Sequence, residues 1–240
     1  IDNPGLFFNT VLYTGNGTAI GSGGQAIQGV GFAPDWTWIK ERSSTSPHKL
    51  LDTVRGATKE LESSATSAEA TTAESLASFD SDGFTVGSNG AVNENSQTYA
   101  SWNWLAGGTA SSNSDGSITS SVSANTTAGF SICSWTGNSG TIGHGLGVKP
   151  AVIWIKSRQT ANNWVVLHKG LTGGMDANGI VLNDTAAETS GGSGMAEPTS
   201  SVFTITSGLA SNDNNIGYVF AEKKGYSKFG SYTGNGNADG

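Results

Sequence analysis

Few residues in this chain could carry acid–base or metal chemistry, and they follow no recognised pattern. The three histidines are His48, His144 and His168, and none has the spacing of metal ligands or stands beside a nucleophile motif. His144 lies in a glycine-rich turn, where we expect it to be solvated. A single cysteine, Cys133, rules out an intrachain disulfide and a cysteine-based metal site, and its strand-like surroundings predict a small buried side chain. We therefore expect no catalytic residue, no metal site and no cofactor.

One group of carboxylates resembles the start of a calcium-binding loop. Asp80 and Asp82 precede Gly83, but the acidic ligand expected further along such a loop is absent. An Asp-Gly pair is typical of a tight turn before a strand. The sequence therefore predicts a turn here and no cation site.

A second group of carboxylates could in principle hydrolyse a glycan. Asp52 with Glu60 or Glu62 is the kind of pair that glycosidases use, although nothing in the sequence fixes their separation. Asp52 is also placed to form a diagonal ion pair with Lys40 across a hairpin. In our alignment of the two halves of the chain, Val166 takes the place of Asp52. We therefore favour a structural role for this carboxylate over catalysis.

The tryptophans are more promising binding groups, because an aromatic face can stack on a sugar ring. Trp38 and Trp154 occupy equivalent positions in two strand-like runs, and we expect both to pack in a core. Four other tryptophans are candidates for ligand contact: Trp36, Trp102, Trp104 and Trp164. Among these we select Trp36 and Trp164 as glycan-binding candidates, the latter because it stands beside polar asparagines.

The segments that must position these residues recur along the chain. The opening run Tyr13-Thr14-Gly15-Asn16-Gly17 returns near residues 135 and 232. Further matches occur in the same order at offsets of 116 to 119 residues: Trp38-Ile39-Lys40 with Trp154-Ile155-Lys156, Phe84 with Phe203, and Tyr99 with Tyr218. Matches that keep their order and nearly their offset indicate repeated structural units.

Composition indicates that these units are all-β. Only 13% of the 240 residues are charged, 35% are hydrophobic and 35 residues are glycine, which is typical of short strands joined by tight turns. We predict tandem antiparallel β-sandwich or jelly-roll units. Unit one takes residues 1–108, a connector rich in glycine, serine and threonine takes 109–129, unit two takes 130–224, and a third, truncated unit begins at 225–240.

The two ends of the sequence raise the question of whether the natural polypeptide extends beyond them. Residues 229–240 repeat the opening strand and turn without the partner strands that would cover them, so we expect the natural polypeptide to continue beyond Gly240. Otherwise residues 229–232 would pair with an existing sheet or with a neighbouring subunit. Ile1 in place of methionine indicates either processing or missing N-terminal residues, and the sequence leaves both open.

Individual strands are predicted within unit one. Aromatic and β-branched residues predict a strand at 35–42, and residues 48–56 would return antiparallel beside it, with Arg42 facing His48 and Trp38 facing Asp52. Residues 98–104 alternate aromatic with small or polar side chains, as strands do. A short edge strand at 116–122 could lie within the connector.

Charge and hydropathy exclude two classes of partner. The net charge of −7 comes from scattered acidic residues, and no run of lysine or arginine is long enough for a phosphate-binding stripe. No apolar run approaches the roughly 18 residues needed to span a bilayer. We therefore expect neither nucleic acid binding nor membrane insertion.

Taken together, the recurring segments resemble a repeat family of virion proteins from marine bacteriophages, typically predicted tail fibres or other tail-associated host-contact proteins. The segments that carry the resemblance span most of the chain: Gly31-Phe32-Ala33-Pro34-Asp35-Trp36-Thr37-Trp38-Ile39-Lys40, His48-Lys49-Leu50-Leu51-Asp52-Thr53-Val54-Arg55-Gly56, Ser81-Asp82-Gly83-Phe84, Asn163-Trp164-Val165-Val166-Leu167-His168-Lys169, and residues 225–236. The resemblance implies a lectin-like, all-β virion module without known catalysis, located in the virion and outside the cell. It also implies a fibre, and hence a homo-oligomer, with a trimer as our first expectation.

The expected function is that of a structural and adhesive virion protein, a tail fibre or similar appendage that contacts the host surface, and not an enzyme. Its expected partners are other copies of itself, other virion proteins and a host surface glycan. Two alternatives remain open. One is a bacterial secreted or cell-surface adhesin that binds polysaccharide, and the other is a glycan-cleaving enzyme of the jelly-roll type.

Overall fold

The structure, a computed structural model, describes residues 1–189, 195–206 and 213–237 of the chain. It is almost entirely β, with 40% strand and 4% helix, which confirms the all-β prediction. The strands, numbered in chain order, are β1 (Phe8–Thr14), β2 (Gln25–Gln28), β3 (Trp36–Glu41), β4 (Lys49–Asp52), β5 (Lys59–Glu62), β6 (Ala70–Thr71), β7 (Leu76–Asp80), β8 (Gly83–Val86), β9 (Thr98–Trp104), β10 (Ser111–Asn113), β11 (Ser120–Asn125), β12 (Phe130–Thr136), β13 (Gly140–Gly143), β14 (Val152–Ser157), β15 (Val165–His168), β16 (Ile180–Val181), β17 (Val202–Ile205) and β18 (Asn214–Phe220). Helical structure in the described residues comprises one short α-helix, Gly90–Asn93, and two 3₁₀ turns, Pro4–Leu6 and Ile20–Ser22.

The strands form two large and two small sheets. The first large sheet has the order β1-β9-β3-β4-β5-β6, and the second has the order β10-β11-β12-β18-β14-β15-β16. The small sheets are β2-β8-β7 and β13-β17. Every pairing between strands named here is antiparallel.

Corresponding strands of the two large sheets follow the same order and the same register. The run β1-β9-β3-β4 in the first sheet matches β12-β18-β14-β15 in the second. Trp38 pairs with Trp102, and Trp154 pairs with Tyr218. Tyr218 is therefore the structural counterpart of Trp102, and the sequence match of Tyr218 with Tyr99 is wrong by three residues.

The same comparison corrects a second alignment. Asp52 lies opposite Trp36 in the first sheet, and His168 lies opposite Val152 at the equivalent position of the second sheet. His168 therefore occupies the place of Asp52, which the sequence alignment had given to Val166.

Three apolar cores stack the sheets into four layers. The first small sheet covers one face of the first large sheet around Ile39 and Phe84. The second small sheet covers the outer face of the second large sheet around Ile155 and Phe203. The remaining faces of the two large sheets pack directly on each other. We call this third core, between the two large sheets, the shared core.

Alternation along the strands explains how one strand serves two cores. In β3, Trp36 lies in the shared core and Ile39 lies under the first small sheet. In β4, Leu50 and Leu51 divide between the same two cores. Because successive side chains point to opposite faces and both faces are covered, β3 and β4 carry apolar residues on both faces.

The hairpin between β3 and β4 differs from its predicted register by two residues. Trp36 lies opposite Asp52 and Trp38 lies opposite Leu50. Lys40 consequently stands away from Asp52, and its Nζ donates to the backbone carbonyls of Glu41 and Ser44. A shift of two residues keeps every side chain on its predicted face but abolishes the predicted ion pair.

The segment predicted as a connector is part of the second large sheet. Residues 109–129 contain β10 and β11, and β11 pairs with β12. Val122 of β11 is buried in the core under the second small sheet. The many serines of this segment hide the strand pattern in the sequence, since small polar residues give a weak alternation signal.

Residues 229–232, predicted to repeat the opening strand, form no strand. The Phe229 N–H donates to Glu222 Oε1 (3.0 Å), and the Phe229 ring lies 6.0 Å from the ring of Phe220. Tyr232 is 95% exposed. The last three residues of the predicted third unit, 238–240, lie outside the described residues.

Candidate functional site

Both predicted glycan-binding tryptophans are buried in the shared core. Trp36 is fully buried, with its ring centroid 4.3 Å from those of Trp104 and Tyr218. Trp164 is also fully buried, and its Nε1 donates to the carbonyl oxygen of Glu62 (2.8 Å). Neither side chain is exposed, so the two residues form no exposed binding surface, although Trp36 lines the pocket described below. Their selection as glycan-binding residues stays a prediction. The sequence identifies these residues as aromatic but does not show whether their side chains are exposed to solvent.

The shared core instead opens into a pocket at the end where Trp36 and Trp104 lie. This cavity measures about 660 Å³. It is lined by residues from both large sheets and from the loops beside them: Phe8, Trp36, Trp104, Ala128, Gly129, Phe130, Val152, Trp154, Val166, His168, Ile180, Val181, Leu182, Asp184, Ala186, Phe220, Ala221, Tyr226, Ser227 and Phe229. We call it the aromatic pocket.

Strand alternation and cross-strand pairing build the aromatic walls of this pocket. Trp104 and Trp36 pair across β9 and β3, and Phe8 pairs with Trp104 from β1. On the opposing sheet, Phe130 of β12 pairs with Phe220 of β18, with ring centroids 5.0 Å apart. Each pair sits at the same end of its sheet, so the two sheets face each other there with aromatic rings.

Few polar groups face the aromatic pocket. Those that line it through ionisable or hydroxyl side chains are His168, Asp184, Tyr226 and Ser227. His168 Nδ1 accepts from the Gly170 N–H (2.9 Å), and burial, together with Lys169, lowers the pKa of His168, so the ring is neutral at pH 7. Burial raises the pKa of Tyr226 to about 12, which keeps its hydroxyl protonated. A cavity with mostly apolar walls and a few polar groups has the character of a small-molecule binding site.

One of the pocket residues also carries an unused hydrogen-bond donor. The indole Nε1 of Trp36 is buried and has no hydrogen-bond partner within the described residues. Buried donors are normally satisfied, so an orphan of this kind is commonly matched by water or by a ligand.

The carboxylates considered for catalysis are committed to structural contacts. Asp52 Oδ2 accepts from Arg55 Nε (2.5 Å) and from the hydroxyl of Tyr218 (2.7 Å). Arg55 Nη1 reaches Glu69 (3.3 Å), and Arg158 binds both carboxylate oxygens of Glu69 (2.7 and 2.9 Å). These five side chains form a continuous charged network that ties the first large sheet to the second.

The other two acids of the proposed glycosidase group lie elsewhere. Glu60 and Glu62 both accept from Lys49 Nζ, at 2.8 and 2.7 Å. In β5, Leu61 belongs to the shared core, so its neighbours Glu60 and Glu62 point to the opposite face of the sheet. Asp52 points into the shared core with Leu50. Acids on opposite faces of a sheet cannot act on one glycosidic bond.

The remaining candidate residues also have structural partners. Asp82 accepts from the N–H groups of Gly29 (3.1 Å) and Gly31 (2.6 Å), and Asp80 accepts from Ser78 and Thr85 (2.7 Å each), at the turn between β7 and β8. This agrees with the predicted turn. Across residues 1–189, 195–206 and 213–237, no three His, Cys, Asp or Glu side chains are grouped so that they could hold a metal ion.

The histidine predicted to be solvated is fully buried. His144 Nδ1 accepts from the Leu146 N–H (3.2 Å), and Nε2 donates to the Thr199 carbonyl oxygen (3.3 Å). Both ring nitrogens are therefore satisfied in the neutral state, and burial lowers the pKa of His144. Cys133 is buried as predicted, and burial raises the pKa of its thiol to about 12. Neither residue is available as a nucleophile or base.

A family described as "Domain of unknown function (DUF7483)" matches residues 3–240. The chain belongs to this family. No curated protein and no solved structure matches it. In the described part of this DUF7483 chain, no helix is both long enough and apolar enough to cross a bilayer.

Most of the DUF7483 pocket escaped sequence reasoning. Phe8, Phe130 and Phe220 were not proposed as site residues, although each stands at the end of a strand in the sequence. Trp104 was considered but not selected. These residues could have been found from one pattern, because an aromatic residue stands at the corresponding end of each of β1, β9, β12 and β18. Recognising it requires the pairing register, which the sequence alone does not provide.

Proposed function

We propose that this DUF7483 chain is a non-catalytic, adhesive module of a virion appendage such as a tail fibre, and that it contacts the host surface. The observation that carries the proposal is the aromatic pocket, a preformed cavity with mostly apolar walls between two large sheets that are joined by hydrogen bonds and an ion pair. The resemblance of the sequence to virion repeat proteins supports the location outside the cell.

Binding is favoured over catalysis by the state of the ionisable groups. The acids considered for glycan cleavage accept hydrogen bonds from Arg55 or Lys49, and they lie on opposite faces of one sheet. General acid–base catalysis needs groups within reach of one reacting bond. The pocket itself offers His168 and Asp184, which accept hydrogen bonds from the backbone N–H groups of Gly170 and Thr185 in the described part of the chain.

The contacts between the two halves suit a module that must stay intact in an appendage. Besides the charged network, Lys156 Nζ donates to the carbonyl oxygen of Thr66 (3.0 Å), and Glu69 N–H donates to that of Arg158 (2.8 Å). Together with the shared core, these bonds oppose separation of the halves.

Self-association and glycan binding remain parts of the proposal. A homo-oligomer, with a trimer as the first case, would multiply weak individual contacts through avidity. Leu12 is 61% exposed on β1, an edge strand of the first large sheet, and offers one apolar contact point between copies. A host glycan would meet the polar loops, since Trp36 and Trp164 are not exposed.

Antibody labelling of particles and cells tests the proposal. Antibodies raised against the purified chain should decorate an appendage of virions from the source, and the purified chain should slow adsorption of those virions to their host. Labelling of the bacterial surface alone would favour the adhesin alternative. Release of reducing ends from host polysaccharide by the purified chain would overturn the non-catalytic assignment.

A further inference from the structure

We propose that the aromatic pocket takes the hydrocarbon part of an anionic amphiphile, such as an acyl lipid, and that the lysines beside its mouth receive the anionic head. The inference rests on the proposed function, because it names the ligand class of the adhesive site. It is carried by two independent features, the apolar walls and the local reversal of charge.

The walls fit hydrocarbon better than sugar. At about 660 Å³ the cavity is within the range of roughly 300–1,000 Å³ that small-molecule sites occupy. Its sides are aromatic rings together with the aliphatic side chains of Val152, Val166 and Ile180. A sugar placed there would leave most of its hydroxyls without partners, and burying an unpaired hydroxyl is costly. A hydrocarbon chain carries no such cost and gains from contact with the rings.

The charge beside the mouth is opposite to that of the whole chain. The loop that supplies Tyr226 and Ser227 to the pocket also carries Lys223, Lys224 and Lys228. The stem of Lys223 lies against Gly129, a pocket residue. These lysines stand in a protein whose net charge is −7.

Neighbouring acids do not cancel this positive charge. Glu222 is paired with Lys169 (2.5 Å), and Asp184 is the acidic side chain that lines the pocket. The three loop lysines therefore outnumber Asp184, the acid among these two that is not held in an ion pair. Lys224 and Lys228 are exposed and free to meet a head group from solvent. An anionic head would gain Coulomb energy at this position, and a cationic head would lose it.

The experiment compares amphiphiles that share a dodecyl-length chain and differ in the head. Isothermal titration calorimetry below the micellar concentration would use laurate, dodecyl maltoside and dodecyltrimethylammonium, with inorganic phosphate as a head-only probe. We expect laurate to bind most tightly at one site, the neutral maltoside about tenfold more weakly, the cationic probe more weakly still, and phosphate alone not measurably. Equal affinities for the three heads would overturn the charge assignment, and no binding by any amphiphile would overturn the pocket assignment.

Variants at exposed positions separate the two features without disturbing the core. The double change Lys224→Glu with Lys228→Glu should weaken laurate about tenfold and leave the maltoside unchanged. Arg42→Glu is the matched control, because Arg42 is an exposed cation at the opposite end of β3 from the pocket, and it should change neither affinity. Ala186→Trp places a large ring at the mouth from an exposed position and should weaken all amphiphiles. Undiminished laurate binding by this variant would place the site elsewhere.

Failure of this inference can be told from failure of the adhesive function. If antibodies against the chain decorate virions and the purified chain slows adsorption but binds no amphiphile, the ligand class is wrong and the adhesive role survives. If laurate binds as expected but the chain is absent from virions, the pocket assignment survives and the virion role is lost.

Discussion

The charged network between the two large sheets should be a major determinant of stability, and Arg55→Met tests it. Both Arg55 and Asp52 have fully buried side chains. The substitution removes the bond from Nε to Asp52 (2.5 Å) and the bond from Nη2 to the Leu50 carbonyl oxygen (2.8 Å). Asp52 keeps the Arg55 backbone N–H (2.8 Å) and the Tyr218 hydroxyl (2.7 Å), but its charge is left without a counter-ion.

Removing one partner of a buried ion pair typically costs about 3–5 kcal/mol, because the remaining charge stays buried. We expect a loss of that size in the free energy of unfolding, measured by urea titration followed by tryptophan fluorescence. Adding Asp52→Asn to Arg55→Met should restore part of the lost stability, because an amide leaves no buried charge without a counter-ion. Arg42→Met, which alters an exposed arginine, serves as control and should stay within about 0.5 kcal/mol of wild type.

The shape of the transition tests the shared core at the same time. Because the two large sheets bury one core between them, both halves should unfold in one transition that shifts as a whole. A loss below about 1 kcal/mol for Arg55→Met, the size of a surface ion pair, would refute the network argument. Two separate transitions, only the first of which shifts, would refute the shared core.

Three further predictions concern single buried residues. Trp164→Ala should lower the free energy of unfolding by about 3–5 kcal/mol, as loss of a buried aromatic does, and a near-wild-type thermal unfolding curve would contradict its core position. Burial lowers the pKa of Lys156 from 10.5 to about 8, so the folded protein loses this proton at lower pH than the unfolded chain. Stability should therefore rise by about 1 kcal/mol between pH 8 and pH 9 relative to Lys156→Met, and parallel pH profiles for the two proteins would count against it. Burial lowers the pKa of His144 below its ordinary 6.5, so the unfolded chain takes up the proton first and stability should fall as the pH drops below about 6.5. Urea titrations from pH 7 to 5 should show a smaller decline for His144→Gln, and an equal decline would exclude this histidine as a cause.

Local sequence chemistry predicted the individual strands well. The strand predicted at 98–104 is β9, Thr98–Trp104, and the strand predicted at 35–42 contains β3, Trp36–Glu41. In both, alternation or β-branched and aromatic content acts within a few residues, so it can be read without knowing the rest of the fold. The Asp-Gly turn at Asp82 was recognisable for the same reason.

The pairing of strands that are distant in the chain was much harder to predict from the sequence. The β3–β4 register is two residues away from the predicted one. The predicted connector at 109–129, for which one short edge strand at 116–122 was considered, contains two strands, β10 and β11. A register that moves by two residues leaves the facial pattern unchanged, so hydrophobic alternation cannot detect the error. Serine-rich strands such as β11 owe their place in the sheet to their neighbours more than to their own side chains.

The sequence by itself determined that the chain is β-structured and which side chains share a face of each strand, such as Trp102 and Trp104 on one face of β9. Only the tertiary structure decided what covers that face. Trp164 meets Glu62 across 102 positions of the chain, and Tyr218 meets Asp52 across 166. If the face that carries these aromatic residues were open to solvent, it could serve as a binding surface. It forms a core because the other large sheet lies on it. The residues of a strand specify that an apolar face must be buried. Which sheet packs on that face depends on contacts between residues far apart in the chain, and such contacts leave no pattern in the local sequence.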